Sequence, residues 1–175
     1  MSNKNEKYNE ILNEFYEKIP IENRSHYEEL ASKAIALGYY PIRDKTKCLS
    51  ISFRNNKLKY TIMKFAEERK NEYLWKLKFS ATKNYSKVFN DYVNQCIDGY
   101  INSFSEKYGF KNNVFCFGCI RCGNIKKLWY SIEYEDGKKS TLCGHNPLIH
   151  IEEISKEIVE EAGEMMQVQH EKLIE

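Results

Sequence analysis

Hydrophobic residues near the N-terminus recur at the three- and four-residue spacing of an amphipathic helix, first over residues 5–19 and again over residues 25–37. The apolar positions of the two runs are Ile11, Leu12, Phe15, Tyr16 and Ile19, and then Tyr27, Leu30, Ala31, Ala34 and Ile35. Pro20 follows the first run and Gly38 the second, and both residue types are common just beyond helix ends. The pattern therefore predicts two helices.

The spacing changes to two in residues 49–54, where apolar side chains alternate with polar ones. Asn55 and Asn56 follow at once, and asparagine tolerates the positive φ values that a two-residue hairpin turn requires. Such a turn pairs Phe53 with Leu58 across the two strands. We therefore predict a β-hairpin with one buried face.

Three later segments extend the predicted fold. Residues 73–79 alternate again and add a third antiparallel strand, and residues 85–104 carry an apolar stripe at helical spacing. A short apolar run over residues 148–151 precedes an acidic helix that begins near Glu153 and continues to the C-terminus. The whole chain, residues 1–175, is thus predicted to be one α+β domain, an antiparallel β-meander covered by helices and closed by a terminal helix.

Four cysteines in the C-terminal third carry the strongest chemical signal, namely Cys116, Cys119, Cys122 and Cys143. A Cys-x-x-Cys spacing lets a tight turn bring two thiolates to one metal ion, and four thiolates fill the tetrahedral shell of zinc. The fourth cysteine follows a predicted hairpin, whose two-residue turn at Asp136-Gly137 places Cys143 opposite Tyr130. We predict a metal-binding knuckle and hairpin over residues 114–145, within the domain.

The identity of the metal and its ligands leaves alternatives open. Zinc in a closed shell of four sulfur atoms is structural, because catalytic zinc keeps an open position for water. His145 is the alternative to Cys116 as the fourth ligand. An iron–sulfur cluster is the alternative cofactor, since Cys-x2-Cys-x2-Cys also opens the ferredoxin pattern, although the Cys-Pro of that pattern is missing. A metal-dependent enzyme with an open site at Cys119, Cys122 and Cys143 is a further hypothesis.

Composition narrows the class of protein. Apolar residues make up 42% and charged residues 30% of the chain, which is ordinary for a globular protein and argues against disorder. No run approaches the roughly eighteen apolar residues of a membrane span, and no apolar signal segment follows the polar N-terminus. We therefore expect a cytoplasmic protein with no membrane partner, in which thiols stay reduced and clustered cysteines bind metal.

The net charge of +2 conceals a segregation of charge along the chain. Residues 43–83 carry twelve Lys or Arg and four acidic residues, whereas residues 146–175 carry eight acidic residues and two lysines. Alternation places five basic side chains on the outer face of the meander: Arg54, Lys57, Lys59, Lys76 and Lys78. Such a face can track phosphates, so a nucleic-acid-binding module is one hypothesis. The aromatic residues of these strands point inward, which deprives this face of the stacking platforms that single-strand binders use.

The chain lacks the sequence motifs of common catalytic sites. It has no Gly-rich phosphate loop, no Gly-x-Ser-x-Gly elbow and no His-Glu-x-x-His motif. An adequate core, a closed metal shell and the lack of catalytic motifs together favour a non-catalytic, zinc-stabilised domain that binds a small molecule or a protein partner.

Short motifs spread over most of the chain resemble those of a group of small bacterial proteins that carry a domain of unknown function. The motifs are Gly38-Tyr39-Tyr40-Pro41 before the basic meander, the cluster from Cys116 to Cys122, Tyr134-Glu135-Asp136-Gly137, Cys143-Gly144 and Gln169-His170-Glu171. The resemblance implies that the four cysteines belong together, and it implies no activity.

Overall fold

The chain forms two compact units, one of residues 1–78 and 150–175 and the other of residues 79–149. This computed structural model describes the backbone of residues 2–78, 85–108, 114–115, 129–133, 139–143 and 148–175, and the side chains of residues 6–78, 85–96, 98–99 and 148–175. That the whole chain folds as one domain stays a prediction.

Helices form where the apolar spacing predicts them. The described helices are α1 (Ser2–Tyr16), α2 (Ile21–Ala36), α3 (Lys87–Tyr108) and α4 (Lys156–Ile174). Pro20 immediately precedes α2, and Ser155 caps α4 by accepting a hydrogen bond on its hydroxyl from the backbone N–H of Ile158. All four predicted helices are confirmed, with ends displaced by a few residues, as expected because helix termini are weakly encoded.

The described strands make two sheets. The five-stranded sheet has the order β1-β2-β3-β4-β8, with β1 (Tyr40–Arg43), β2 (Ser50–Asn55), β3 (Tyr60–Arg69), β4 (Glu72–Leu77) and β8 (Ile149–Ile151). The three-stranded sheet has the order β5-β7-β6, with β5 (Val114–Phe115), β6 (Trp129–Glu133) and β7 (Lys139–Cys143). The α+β class is confirmed, and the predicted three-stranded meander is the centre of the larger sheet, extended by β1 and β8.

The loop of the first hairpin is longer than predicted. Strand β2 ends at Asn55 and β3 begins at Tyr60, which leaves residues 56–59 as a four-residue loop. The side-chain Oδ1 of Asn55 accepts hydrogen bonds from the backbone N–H groups of Lys57 and Leu58, at 3.0 and 3.1 Å. Asn55 thus closes the loop with its side chain instead of adopting the positive φ of a two-residue turn.

The longer loop changes the register. Phe53 lies opposite Met63 and not opposite Leu58, so the predicted register is wrong. The pairing also shifts after Phe53, and Ile62 is the additional residue of a β-bulge. The bulge lets the consecutive residues Ile62 and Met63 both be fully buried, and Tyr60 beyond them is buried as well.

Aromatic rings form the core of the first unit. The ring of Phe65 in β3 lies 5.0 Å from the ring of Phe15 in α1, 5.0 Å from that of Tyr27 in α2 and 4.9 Å from that of Phe53 in β2. Phe15, Phe53 and Phe65 are fully buried, and Tyr27 is 3% exposed. One side chain at the centre of the sheet therefore joins both N-terminal helices to it.

Buried polar contacts hold the chain around α4 to the same unit. Gln169 in α4 donates a hydrogen bond from Nε2 to the hydroxyl of Tyr60 at 3.2 Å, and both residues are buried. The indole Nε1 of Trp75 in β4 donates to the backbone carbonyl of Glu153 at 3.0 Å. The terminal helix predicted from the sequence is thus confirmed and is fixed against the five-stranded sheet.

A carboxylate organises the opposite face of this sheet. Asp44 accepts hydrogen bonds from the hydroxyls of Ser50 and Ser52 and from Nζ of Lys64, at 2.7 to 2.9 Å. Burial alone would raise the pKa of Asp44, but the hydrogen bonds from Lys64, Ser50 and Ser52 outweigh it and hold the pKa below its ordinary value. The network joins the β1–β2 connection to β3.

The described strands of the second unit form a mixed sheet. Strands β6 and β7 are antiparallel, and β5 runs parallel to β7. Cys143 is paired with Trp129, one residue away from the predicted partner Tyr130. The two-residue turn assumed for the prediction is inconsistent with this pairing, because the ladder runs from Glu133 opposite Lys139. The metal knuckle of residues 114–145 stays a prediction.

Candidate functional site

The predicted metal ligands are largely beyond what the structure describes. Cys116, Cys119 and Cys122, with the alternative ligand His145, lie outside the described residues. Cys143 is the last residue of β7, and only its backbone is described. Within the described residues, no group of three His, Cys, Asp or Glu side chains is placed to hold a metal ion. Zinc binding therefore stays a prediction.

The five basic residues predicted on the sheet do not form one row. Arg54 lies in β2 and Lys76 in β4, whereas Lys57 and Lys59 lie in the loop of residues 56–59. Lys76 donates from Nζ to Glu68 at 2.7 Å, and its side chain is only 15% exposed. Lys78 follows β4, and its ammonium group lies 5.0 Å from the ring centroid of Tyr60. Their role in binding nucleic acid stays a prediction.

The structure brings two of these basic residues, Arg54 and Lys57, to a groove at the β1 edge of the sheet. We call it the tyrosine groove. It has a volume of about 380 Å³, and its lining residues are Tyr8, Gly38, Tyr40, Ile42, Arg54, Asn55, Asn56 and Lys57. A site of this size suits one small molecule or one unit of a longer ligand.

The C-terminus of α2 directs the chain into the tyrosine groove. Gly38 has a φ of +81°, and its N–H and that of Tyr39 donate to carbonyls in the last turn of α2, which makes a Schellman motif. A Cβ at Gly38 would lie 3.3 Å from the side chain of Asn55, so the close approach favours glycine as well. The next residues diverge, since Tyr39 is fully buried whereas the side chain of Tyr40 is 38% exposed.

Strand pairing places an aromatic ring beside a guanidinium group. Tyr40 in β1 is the antiparallel partner of Arg54 in β2. Directly paired residues project from the same face of a sheet, with Cβ atoms about 5 Å apart. Ile42, two residues further along β1, shares this face and is also 38% exposed. The groove therefore has an aromatic and aliphatic floor with a cation at its side.

Tyr8 in α1 completes the aromatic part of the groove. Its ring lies 5.1 Å from that of Tyr40, centroid to centroid, with an angle of 16° between the ring planes. This stacked geometry holds both rings in fixed orientations. Helix α1 is also tied to the edge strand by an ion pair between Glu14 and Arg43 at 3.2 Å. The ring of Tyr40 is therefore in stacking contact with helix α1 through Tyr8.

The β2–β3 loop supplies a second cation. Lys57 is exposed and follows Asn55, whose side chain accepts a hydrogen bond from the Lys57 backbone N–H. In the described part of the chain, neither Arg54 nor Lys57 forms an ion pair with a carboxylate, and none of the eight lining residues is acidic. The lining of the groove therefore carries two positive charges and no negative one, which favours anionic ligands.

A second cleft in the same unit has the opposite character. Its volume is about 420 Å³, and it lies among the α1–α2 connection, the β3–β4 hairpin and the segment before α4. Glu72 and Glu152 contribute carboxylates to its lining, together with Tyr27 and Tyr73. An anion would be repelled here, so the two clefts differ in the charge of the ligands they can bind.

The lining of the tyrosine groove provides groups that can bind a ligand. Its described residues include no carboxylate, histidine, serine or cysteine. The groove therefore lacks the histidine or carboxylate base and the serine or cysteine nucleophile that acyl transfer most often uses. Its chemistry consists of ring stacking, amide hydrogen bonds and two positive charges.

The aromatic part of this site was missed by sequence reasoning. The expectation that Tyr60 and Trp75 point inward is confirmed, since both are buried, while Phe79 lies outside the described residues. The alternating pattern covers only the three strands of the meander. Tyr40 belongs to an edge strand that was not predicted, and Tyr8 belongs to a helix. No local pattern joins residues that are 32 positions apart.

Comparisons with models of known protein families, with curated proteins and with solved structures find no match. The resemblance to small bacterial proteins drawn from short motifs accordingly stays a prediction. Among the described helices, none combines the length and the apolar character needed to cross a membrane. The function therefore has to be inferred from the residues of the site itself.

Proposed function

We propose that this chain is a non-catalytic binding domain whose ligand occupies the tyrosine groove, and that its four clustered cysteines hold a structural zinc ion. The ligand class that fits the groove is an anion that carries a planar ring. The reducing conditions that keep four thiols available for zinc are those of the cytoplasm, which is the compartment we propose.

One observation carries the ligand proposal. An exposed ring, that of Tyr40, is held by stacking on Tyr8 and is the direct cross-strand neighbour of Arg54. An exposed aromatic ring fixed at a groove beside a cation is an arrangement that recognises both the face of a ring and a negative charge. Tyr39 next to it is fully buried, whereas Tyr40 is 38% exposed at the groove.

The ligand proposal is tested by thermal unfolding with a panel of four compounds: AMP, 4-hydroxybenzoate, inorganic phosphate and acetate. We expect AMP and 4-hydroxybenzoate to raise Tm more than the two anions that lack a ring, because only they can stack on Tyr40. A ligand present at about 100 times its Kd stabilises the folded state by about 2.7 kcal/mol.

The matched control is Tyr40→Ala, which removes the ring and leaves Arg54 and Lys57 in place. The stabilisation by both ring-bearing compounds should be lost in this variant. Equal stabilisation of the Tyr40→Ala protein and the original chain would contradict the proposed site.

The zinc proposal is tested by elemental analysis of freshly purified protein together with its absorption spectrum. One zinc per chain and a colourless solution are expected, because zinc has a filled d shell. A brown solution that contains iron would replace zinc by an iron–sulfur cluster.

A further inference from the structure

We infer that the ligand of the tyrosine groove is a single strand of nucleic acid. One base stacks on Tyr40, and the phosphates that flank it are bound by Arg54 and Lys57. This inference rests on the proposed function and narrows it from a ring-bearing anion to a polymer.

The groove matches the repeating unit of such a strand. A nucleotide combines a planar base with a phosphate group a few ångströms away, and the paired residues Tyr40 and Arg54 present a ring and a guanidinium group at neighbouring positions of one sheet face. Base stacking on an aromatic ring tolerates any sequence, because every base has a π face. A base that stacks on Tyr40 therefore needs no hydrogen bond from the groove to be bound.

The cations continue beyond one nucleotide. Arg54 lies in β2, Lys57 lies in the loop that follows, and Lys59 in the same loop is exposed with a φ of +51°. Arg54 and Lys57 line the groove, whereas Lys59 is not among the lining residues. Residues 43–83 as a whole carry a surplus of eight positive charges, twelve against four. A mononucleotide has one phosphate group for the two lining cations, whereas a strand with successive phosphates can contact both Arg54 and Lys57.

Double-stranded nucleic acid fits less well. Its bases are stacked on each other and paired, so their faces are not available to Tyr40. The groove would then contribute only its charges, and the stacked pair of Tyr8 and Tyr40 would have no role in binding. The structure thus favours the single-stranded form.

The test is a fluorescence anisotropy titration of the full chain with fluorescein-labelled oligothymidylate and oligouridylate of about ten nucleotides, within the usual site size of such modules. The titration is repeated over a series of KCl concentrations. Two phosphate contacts predict a slope of about −1.4 in the plot of log affinity against log salt concentration, because each contact to a single strand contributes about −0.7.

Variants separate stacking from charge. Tyr40→Ala should weaken binding roughly 5- to 150-fold with little change in the slope, whereas Tyr40→Phe should bind as the original chain does, because it keeps the ring. Arg54→Ala and Lys57→Ala should each flatten the slope by about 0.7. Arg69→Ala is the control, since this 81% exposed cation lies at the far end of β3, and it should leave the slope unchanged.

The outcomes distinguish the inference from the proposed function. If AMP binds as tightly as the oligonucleotides, the ligand is a mononucleotide and the inference of a nucleic-acid strand is wrong. If the oligonucleotides bind equally well after Tyr40→Ala and Arg54→Ala, the nucleic-acid site lies elsewhere and the inference is overturned. If they do not bind while 4-hydroxybenzoate still stabilises the chain through Tyr40, the inference fails and the proposed function stands.

Should Tyr40→Ala fail to fold, Tyr40→Leu replaces it, because leucine keeps an apolar contact with Tyr8 and removes only the ring face. Loss of binding in a Tyr40→Leu protein of unchanged Tm supports stacking. Retained binding in that protein contradicts it.

Discussion

The two units of this protein present different solutions to the problem of holding a small sheet together. In the unit of residues 1–78 and 150–175, five strands are covered by helices, and a buried ring at Phe65 contacts three others. In the unit of residues 79–149, the described sheet has three strands of two to five residues. All four clustered cysteines belong to this second unit.

The difference teaches that the number and length of the strands set how much additional stabilisation a sheet needs. The longest strand of the first sheet has ten residues, five of them buried. A sheet of three short strands is close to the limit of independent stability, so a metal ion has more to contribute there. We therefore expect the first unit to depend on packing and the second on zinc.

Removal of the metal is the change with the largest expected effect. Structural zinc contributes on the order of 10–16 kcal/mol in small zinc-finger peptides, which is as much as the stability of a whole domain. Treatment with a chelator should abolish the hydrogen-exchange protection of residues 114–145 and preserve that of β2 to β4. The same result is expected for Cys119→Ser. Unchanged protection of residues 114–145 in the metal-free protein would falsify the contrast between the units.

Truncation of the central ring tests the other half of the comparison. Phe65→Ala should lower the free energy of unfolding of the first unit by about 3–5 kcal/mol, because the cavity it leaves lies among three other rings. Chemical denaturation followed by tryptophan fluorescence measures the effect, since Trp75 is buried in the same sheet. Ile21→Ala is the control, as Ile21 is 77% exposed and its loss should cost no more than about 0.5 kcal/mol. Comparable losses for the two variants would show that Phe65 is not central.

The polar face of the sheet should contribute less, and in a manner that depends on pH. Asp44→Ala leaves Lys64, Ser50 and Ser52 without their shared acceptor and should lower the free energy of unfolding by about 1–3 kcal/mol at neutral pH. The hydrogen bonds lower the pKa of Asp44 in the folded state, so the unfolded chain takes up a proton first as the pH falls.

The contribution of Asp44 is therefore complete above the unfolded pKa of about 3.9 and is lost as the pH falls through the lower pKa of the folded state. The difference in stability between the original chain and Asp44→Ala should shrink from pH 5 towards pH 2, roughly the range over which the carboxylate is protonated. A difference that stays constant over this range would show that the carboxylate charge does not matter. Glu72→Ala, which removes an exposed carboxylate, serves as the reference with little effect.

Much of the first unit could be predicted because its signals are local. Helical spacing located α1, α2 and α4, and the buried positions Ile158, Ala162 and Met165 are those expected from that spacing. Alternation located the three central strands. In each case the pattern within one segment is sufficient, since every apolar stripe has to be buried against some partner.

The register and the edge strands could not be predicted in this way. The register depended on the side chain of Asn55, which closes a four-residue loop, and on the bulge at Ile62. Strand β1 has only four residues and contains Pro41, which local preferences disfavour and which sheets accept mainly in edge strands. The register and the edge strand depend on how segments pack against one another, so no periodic pattern within one segment predicts them.

The amino-acid sequence by itself determined the helices, the central strands, the charge asymmetry and the spacing of the cysteines, because each of these is a property of consecutive residues. Only the tertiary structure decided that Tyr8 and Tyr40 stack beside Arg54, because that contact joins a helix to an edge strand through packing at a distance. The physical reason is that the preferences of consecutive residues determine helices and strands. A binding groove depends instead on the gap that is left where separate helices, strands and loops pack together.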